Sequence, residues 1–260
     1  MGDVSVRRAT KARHDALLAL LRNGVDGVDT LAERLAVSPS TVRRDLTTLQ
    51  REGRIARTYG GALVRDVFQE RSFSESAQIN QEAKAEIAGV AAELVLDGAT
   101  IFLDAGTTCL ALARSLSSRT SLTVVTRGLE AASLLARSSD IDVVMLGGLV
   151  RPLSHGLVGP LSSLALDRLS FDVAFLGADA VDPDKGLGEP TPEETYVKEL
   201  AAARAAEVVL LADASKLGPA QLPAWIPLAP SWRLVTDGRA SEEMLGLFEA
   251  KGVSVIRAGS

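Results

Sequence analysis

Apolar residues recur at helical spacing twice within the first fifty residues. In the segment 13–22 three leucines share one face, and further along Val42, Leu46 and Leu49 lie at i, i+4 and i+7. The two stripes predict helices that pack through their apolar faces. In the second helix the remaining positions point outward or sideways and offer hydroxyl and guanidinium groups: Ser40, Thr41, Arg43, Arg44 and Thr47.

The segment 29–52, DTLAERLAVSPSTVRRDLTTLQRE, predicts two short helices around a tight turn. Ser38 suits the N-cap of the second helix because its hydroxyl can accept a hydrogen bond from an amide of the first turn. Pro39 suits the first helical position because it has no amide to leave unpaired. Gly53 is expected to end this helix, and the segment 55–64 predicts a short hairpin or wing with paired glycines in its turn.

Together these features are typical of a winged helix-turn-helix whose second helix enters the major groove of DNA. The alternative is a three-helix packing module with a basic surface. The joint occurrence of turn, cap, arginines and wing favours DNA binding. The candidate DNA-binding residues are Ser38, Ser40, Thr41, Arg43, Arg44, Thr47, Arg54, Arg57 and Tyr59.

A polar segment without sustained periodicity, residues 66–81, precedes a different pattern. From residue 82 onward, short apolar runs such as TIFLD, LTVVT and DVAFLGAD alternate with helical segments. This alternation predicts an α/β domain with a mostly parallel sheet covered by helices on both faces. We therefore expect a winged helix-turn-helix DNA-binding domain over 1–65, a linker over 66–81 and an effector-sensing α/β domain over 82–260.

Ligands of such sheets bind at the carboxyl ends of the strands, where polar residues cluster in this chain. The first predicted strand runs into Asp104, Ala105, Gly106, Thr107 and Thr108 and then directly into a helix. The glycine permits close approach of a ligand, and the first amides of the helix point toward an anion, so this loop can hold a phosphate. An ordinary strand-to-helix turn capped by a threonine explains this segment equally well when it is taken alone.

Charged residues follow the other strand ends, namely Arg127, Arg151, Asp179 and Lys216. Carboxylates at this edge can hold sugar hydroxyls while cations balance a phosphate charge. Taken together these residues favour a pocket over isolated turn residues. A neighbouring loop rich in turn formers is interpreted as structural: Asp182, Asp184 and Lys185.

Charge is distributed unevenly along the 260 residues. The formal net charge is -5 at pH 7, but residues 1–65 contain 12 Lys and Arg against 7 Asp and Glu, a net of +5. The remaining residues contain 16 against 26, a net of -10. Only the first segment is therefore expected to touch DNA, and an architectural protein that coats DNA fits poorly.

Composition further limits the classes of protein to which this chain can belong. The apolar fraction of 47% argues against disorder. The single cysteine, Cys109, excludes an internal disulfide and a four-cysteine zinc site, and we expect neither metal nor cofactor. No signal peptide or bilayer-spanning apolar run is evident, so we expect a cytoplasmic protein without a membrane partner.

The chain resembles the DeoR family of bacterial transcriptional regulators over nearly its whole length. The shared motifs are VSPSTVRRDLTTLQREGRIARTYGGA near the amino terminus and then DAGTT, GADAVDPDKGL, TPEETYVK and DASKLG. The resemblance implies a winged helix-turn-helix joined to a sensor domain similar to sugar-phosphate isomerases. It also implies a repressor of a sugar-metabolism operon that binds a double-stranded DNA operator and responds to a phosphorylated sugar. Because two recognition helices must match operator spacing, we expect a homo-oligomer, a dimer or tetramer.

The same resemblance places the family's phosphate and sugar contacts on Asp104, Gly106, Thr107, Thr108, Asp179, Lys198 and Lys216. Three further candidates for effector binding are Arg151, which follows a strand end, and two individual features of this chain, Arg127 and His155. Where the family commonly has an asparagine after Val-Thr, this chain has Arg127, which is compatible with a more anionic effector. For His155, a hydrogen-bonded loop position is the first interpretation and a ligand contact is the alternative.

The isomerase likeness also raises a hypothesis of a different class, an active sugar-phosphate isomerase fused to a DNA-binding domain. Such an enzyme needs a carboxylate base and a nearby cation, and Asp104 or Asp179 with Lys216 are of the right types. The loop GADAVDPDKGLGEPT contains Lys185 and Glu189 but no clear glycine-rich phosphate turn beside them. We therefore expect a regulator that is not an enzyme.

Overall fold

The computed structural model describes residues 10, 13–21, 27–51, 55–58, 61–64 and 70–259, with side chains for all of these except 51, 56–58 and 61–64. The chain divides into two compact units, Met1–Phe68 and Gln69–Ser260. Each unit has its own buried apolar core. In the described ranges, no helix is both long enough and apolar enough to cross a membrane.

In the first unit, three described helices share a small core. Residues 13–21 form α1, Val28–Leu35 form α2 and Pro39–Arg51 form α3. The predicted apolar stripes of α1 and α3 are buried together, as expected. Strands β1 (Ile55–Thr58) and β2 (Gly61–Val64) pair antiparallel and confirm the predicted wing. The predicted end of α3 at Gly53 lies outside the described residues.

The strands of the second unit are β3 (Thr100–Leu103), β4 (Leu122–Thr126), β5 (Ile141–Met145), β6 (Leu149–Val150), β7 (Leu157–Val158), β8 (Phe171–Gly177), β9 (Ala180–Asp182), β10 (Gly186–Glu189), β11 (Ala205–Leu211), β12 (Ala224–Ile226), β13 (Arg233–Asp237) and β14 (Ser254–Ala258). Seven of them form a parallel sheet in the order β14-β13-β11-β8-β3-β4-β5. Two smaller antiparallel sheets, β12-β10-β9 and β6-β7, accompany it.

The helices of the second unit are α4 (Phe73–Ala77), α5 (Gln81–Glu93), α6 (Thr107–Leu116), α7 (Leu129–Leu135), α8 (Pro160–Leu166), α9 (Pro192–Ala203) and α10 (Glu242–Glu249). They cover both faces of the parallel sheet. Along β3, Ile101 and Leu103 join a buried cluster with α5, α6 and α7, whereas Phe102 joins a second cluster with α9 and α10. Strands buried on both faces explain the nearly continuous apolar runs, and the α/β prediction is confirmed.

The strand order reverses between β3 and β8. From β3 the sheet continues through β4 to β5, and from β8 it continues in the opposite direction through β11 and β13 to β14. The loops that leave these two neighbouring strands therefore diverge and open a crevice at the carboxyl edge of the sheet. Asp104 directly follows β3 and Gly177 ends β8, so the predicted loop lies at this crevice.

Candidate functional site

The exposed face of α3 is the candidate DNA-binding surface. Ser38 Oγ accepts a hydrogen bond from the amide of Thr41 at 3.2 Å, which confirms Ser38 as the cap of a helix that begins at Pro39. Ser38 is exposed, and the side chains predicted to point outward or sideways are all exposed or half-buried: Ser40, Thr41, Arg43, Arg44 and Thr47. The helix thus presents hydroxyl and guanidinium groups to solvent.

The buried side of α3 carries its acidic residue. The Asp45 carboxylate accepts a hydrogen bond from Arg13 Nε at 2.6 Å and lies 3.1 Å from His14 Nε2. Burial alone would raise the pKa of Asp45, but the hydrogen bonds from Arg13 and His14 lower it. Both partners belong to α1, so this cluster orients α3 and keeps its negative charge off the exposed face.

Three candidate DNA-binding residues have no described side chain. Arg54 and Tyr59 lie outside the described residues. Arg57 lies in β1, but its side chain is outside them. Contact of these three residues with DNA stays a prediction.

In the second unit, a pocket opens at the carboxyl edge of the sheet. Seven of the ten candidate effector-binding residues line it: Gly106, Thr107, Thr108, Arg127, Asp179, Lys198 and Lys216. Asp104, Arg151 and His155 are not part of its wall. The wall includes other polar and aromatic residues, among them Glu70, Arg71, Phe73, Ser76, Ser154, Glu189 and Glu194.

Asp104 is fully buried and surrounded by donors. Its Oδ1 accepts from Arg127 Nε at 2.5 Å and from the Ala105 amide at 2.7 Å. Its Oδ2 accepts from the Gly177 amide at 3.1 Å and lies 2.8 Å from Lys198 Nζ. Burial alone would raise the pKa of Asp104, but the charges of Arg127 and Lys198 lower it. The predicted direct contact with an effector is therefore corrected: four donors occupy this carboxylate, and Asp104 positions the groups around it.

Lys198 lines the pocket, but its ammonium group is already paired with three acceptors of the chain. Its Nζ lies 2.8 Å from Asp104 Oδ2, 2.6 Å from Glu189 Oε1 and 2.7 Å from the Gly177 carbonyl oxygen. Burial alone would favour the neutral amine, but the charges of Asp104 and Glu189 raise the pKa of Lys198. Burial raises the pKa of Glu189 to about 8, despite the adjacent ammonium. An ammonium group has three protons to donate, so Lys198 acts on the pocket mainly through the two acids that it holds.

Arg151 lies outside the pocket wall and holds two acids that belong to it. Its Nη1 donates to Glu194 Oε2, and its Nη2 donates to Glu70 Oε2 at 2.7 Å. Ser154 Oγ donates to the other oxygen of Glu194 at 2.9 Å. The predicted contact of Arg151 with a ligand is therefore corrected, because its guanidinium group is engaged in compensating Glu70 and Glu194.

His155 also lies outside the wall and supports α4. Its Nδ1 lies 2.5 Å from Glu130 Oε1, and its ring stacks on Phe73 with 5.1 Å between the ring centroids. The amide of Phe73 donates to the Leu153 carbonyl oxygen at 2.7 Å. His155 is therefore a hydrogen-bonded loop residue, as the first interpretation had it, and the alternative of a ligand contact has no support in this geometry.

The segment 70–80 belongs to the pocket wall, although the sequence assigns it to a linker. It contains α4, and Lys84 of α5 holds the end of that helix by donating to the carbonyl oxygens of Ser76 at 2.6 Å and Ile79 at 2.8 Å. Burial lowers the pKa of Lys84 to about 8. The buried ammonium group thus anchors the segment over the pocket.

The start of α6 is suited to an anion. The helix begins at Thr107 after Gly106, whose φ of 105° favours glycine, and no side chain caps its first amides. Lys216 ends a short 3₁₀ helix, donates to the Ala178 carbonyl oxygen and keeps 30% of its side chain exposed. Uncapped amides beside a partly exposed ammonium group match the chemistry of a phosphate.

Sequence reasoning missed two features near the pocket that carried local signals. Ser72 and Glu75 form a capping box at the start of α4, and the spacing Ser-x-x-Glu is visible in the sequence. Glu194 lies in the first turn of α9, where the helix dipole stabilises an acidic side chain. Glu70 and Glu189 had no such signal, because their place in the wall depends on distant partners. The turn interpretation of Asp182 is supported, since its Oδ1 accepts from the two amides of residues 184 and 185.

Comparison with known families matches both units. The model of the DeoR-like helix-turn-helix domain matches residues 13–67, and that of the DeoR C-terminal sensor domain matches residues 79–238. The sensor-domain match alone covers more than half of the chain.

Relatives over most of the chain carry regulator names. The chain is 36% identical to the HTH-type transcriptional regulator GlpR of Haloferax volcanii over 88% of this chain and 90% of that protein. It is 34% identical to the lactose phosphotransferase system repressor of Streptococcus mutans (86% and 90%) and 30% identical to the glycerol-3-phosphate regulon repressor of Escherichia coli (79% and 82%). Among solved structures, a ribose 5-phosphate isomerase A from Methanocaldococcus jannaschii is 26% identical over 53% of this chain and 54% of that one, with a TM-score of 0.40. By its two domain matches and these relatives, the chain belongs to the DeoR family of transcriptional regulators.

Proposed function

We propose that this protein represses an operon of sugar metabolism and that a phosphorylated sugar in the pocket lowers its affinity for the operator. One observation carries the effector assignment: a single pocket combines the uncapped start of α6 and Lys216 with the buried acids Glu189 and Glu194. The first pair suits a phosphate and the acids suit hydroxyl groups. Relatives named as repressors of a glycerol-3-phosphate regulon and a lactose phosphotransferase system support the same class of function.

DNA recognition is assigned to the exposed face of α3. Arg43 and Arg44 are the candidates for base contacts, and the hydroxyls of Ser40 and Thr41 are the candidates for phosphate contacts. A homo-oligomer, a dimer or tetramer, presents two such helices to an operator with two half-sites. Light scattering of the purified full chain, with and without operator DNA, measures this state.

The proposal does not include catalysis. Isomerisation through an enediol needs a free carboxylate base, and of the two candidates Asp104 is not free, because both of its oxygens already accept hydrogen bonds. We expect no turnover of ribose 5-phosphate above background by the purified protein.

The test uses the full chain and an operator selected from random-sequence duplexes. Inorganic phosphate, glycerol 3-phosphate, ribose 5-phosphate and fructose 1-phosphate are titrated into the protein–DNA complex. At least one ester should weaken operator binding by about 5 to 150-fold. At 100 times its Kd, that ester should also stabilise the sensor unit by about 2.7 kcal/mol. If every ester leaves both operator affinity and thermal stability unchanged, the effector assignment is wrong.

A further inference from the structure

Arg127 in the pocket wall has a buried donor, Nη1, without a hydrogen-bond partner in the part of the chain that the structure describes. The residue is only 1% exposed, and its Nε is bound to Asp104 Oδ1 at 2.5 Å. Its Nη1 has no hydrogen-bond partner among the described residues. The nearby acid is Glu194, whose Oε1 lies 3.6 Å from Nη1, beyond hydrogen-bond distance. Because buried donors in proteins nearly always have a hydrogen-bond partner, we expect Nη1 to donate to an acceptor that is not part of the chain.

Backbone geometry holds this donor in place. The Arg127 carbonyl oxygen accepts from the Leu157 amide at 2.8 Å, and Gly128 forms a bridge with Gly156. A Cβ atom on Gly156 would lie 2.6 Å from Nη1 and 2.9 Å from the Cβ of Ala105. Glycine at this position therefore leaves the space that the guanidinium group occupies, and Asp104 fixes the group from its other side.

The surroundings of Nη1 select the kind of acceptor. The Glu194 carboxylate lies on one side of Nη1, with its Oε1 at 3.6 Å. A second anion of the ligand at this position would face the Glu194 carboxylate and be repelled by it. A hydroxyl group can instead accept from Nη1 and donate its own proton to Glu194 Oε1. The pocket wall at Arg127 is therefore suited to a neutral hydroxyl, while the start of α6 is suited to the phosphate.

We propose that Arg127 Nη1 and Glu194 Oε1 together bind one hydroxyl of the effector, so that this pair determines which phosphorylated sugars are accepted. The inference rests on the proposed function, because it assumes that the pocket binds a sugar phosphate. It adds a division of the pocket: the phosphate binds beside Thr107 and Lys216, and the sugar is discriminated at Arg127.

Calorimetric titration of the full chain with inorganic phosphate and with the three esters named above tests this division. Wild type should bind at least one ester more tightly than inorganic phosphate. Arg127→Lys should weaken that ester about tenfold or more, as expected when a hydrogen bond from a charged donor is lost. Its affinity for inorganic phosphate should stay within about twofold, because the start of α6 is unchanged. Arg137→Lys, on an exposed arginine, is the matched control and should bind all four compounds like wild type.

Gly156→Ala provides a second variant that alters no charge. The added methyl group should displace Nη1 and weaken the same ester more than inorganic phosphate, although it also lies 2.9 Å from the Cβ of Ala105 beside Gly106. This variant replaces Arg127→Lys if that protein does not fold. Equal weakening of ester and inorganic phosphate would place Arg127 in the phosphate site and overturn the inference, as would unchanged ester binding in the folded variants. Failure of wild type to bind any ester would instead overturn the proposed function, and this inference with it.

Discussion

At the scale of single residues, the pocket depends on buried charges that compensate each other. Asp104 lies between Arg127 and Lys198, and Lys198 also holds Glu189. Removing one member of such a cluster leaves a buried charge without its partner. The resulting loss in the free energy of unfolding is larger than the net stabilisation that the ion pair contributed. These side chains therefore affect stability as well as ligand binding.

Asp104→Asn should lower the free energy of unfolding of the sensor unit by about 3–5 kcal/mol, because Arg127 and Lys198 would lose their shared anion. Urea denaturation of the full chain, followed through the transition of this unit, measures the change. Asp142→Asn, at an exposed position of β5, is the matched control and should change stability by less than about 0.5 kcal/mol. If the Asp104 variant is as stable as wild type, the cluster does not hold the pocket together.

Glu189 links stability to pH. Its pKa is about 8 in the folded chain against an ordinary value of 4.5, so the folded state binds the extra proton between these values. The stabilisation of the folded state by this proton is complete below pH 4.5 and is lost as the pH rises through 8. Between pH 5 and 8 the stability of wild type should therefore fall relative to Glu189→Gln, by up to about 1.4 kcal/mol per pH unit.

Denaturation curves of the two proteins at pH 5, 6, 7 and 8 test this slope. Glu199→Gln, at an exposed position of α9, is the control and should keep the wild-type profile. Parallel profiles for wild type and Glu189→Gln would show that Glu189 is already ionised across this range.

At the scale of elements, the two candidate sites use helices in different ways. The exposed side of α3 carries its recognition groups, and Asp45 on the buried side ties it to α1. The functional part of α6 is its first turn, where uncapped amides face the pocket beside Gly106. A change on the exposed face of α3 should therefore alter DNA binding without disturbing the fold of its unit.

Arg43→Ala or Arg44→Ala should weaken operator binding by about 1–3 kcal/mol and relax the preference at the base that is read. Both side chains are exposed, so the thermal stability of the first unit should barely change. Gel-shift titration against the selected operator and single-base variants measures both effects. Arg137→Ala in the second unit is the control. If both variants retain full affinity and base preference, the assignment of α3 to DNA recognition is wrong.

At the scale of the whole molecule, a basic segment that binds DNA and an acidic sensor are joined in one chain, with formal charges of +5 over residues 1–65 and -10 over the remainder. Each unit has its own core. Regulation then requires a coupling free energy between operator and effector. Thermodynamic linkage makes this coupling reciprocal: operator and effector change each other's affinity by the same factor.

The full chain bound to its operator should therefore bind the effector more weakly than the free protein, by the same factor by which the effector weakens operator binding, about 5 to 150-fold. Calorimetric titration of the active ester into free protein and into the protein–DNA complex measures the first factor, and gel-shift titration measures the second. A scrambled duplex is the control. Two factors that differ beyond error would exclude a simple linked equilibrium.

Local patterns were sufficient for most of the fold. The helix stripes of α1 and α3, the cap at Ser38, the wing and the alternation of apolar runs depend on near neighbours in the chain, and the structure confirms each of them. The same holds for the loop from Gly106 to Thr108, because a strand followed at once by glycine and a helix places it at the sheet edge. The capping box of α4 was equally local and was overlooked.

The roles of the charged residues depended on the tertiary structure. Asp104, Arg151 and His155 stand near strand ends or loops, as their sequence positions indicate, yet each is engaged by a partner 23 or more residues away. The same long-range contacts bring Glu70, Glu189 and Glu194 into the wall. Sequence spacing fixes which residues leave the sheet at one edge, but burial and pairing energies between distant side chains decide which of them remain available to a ligand.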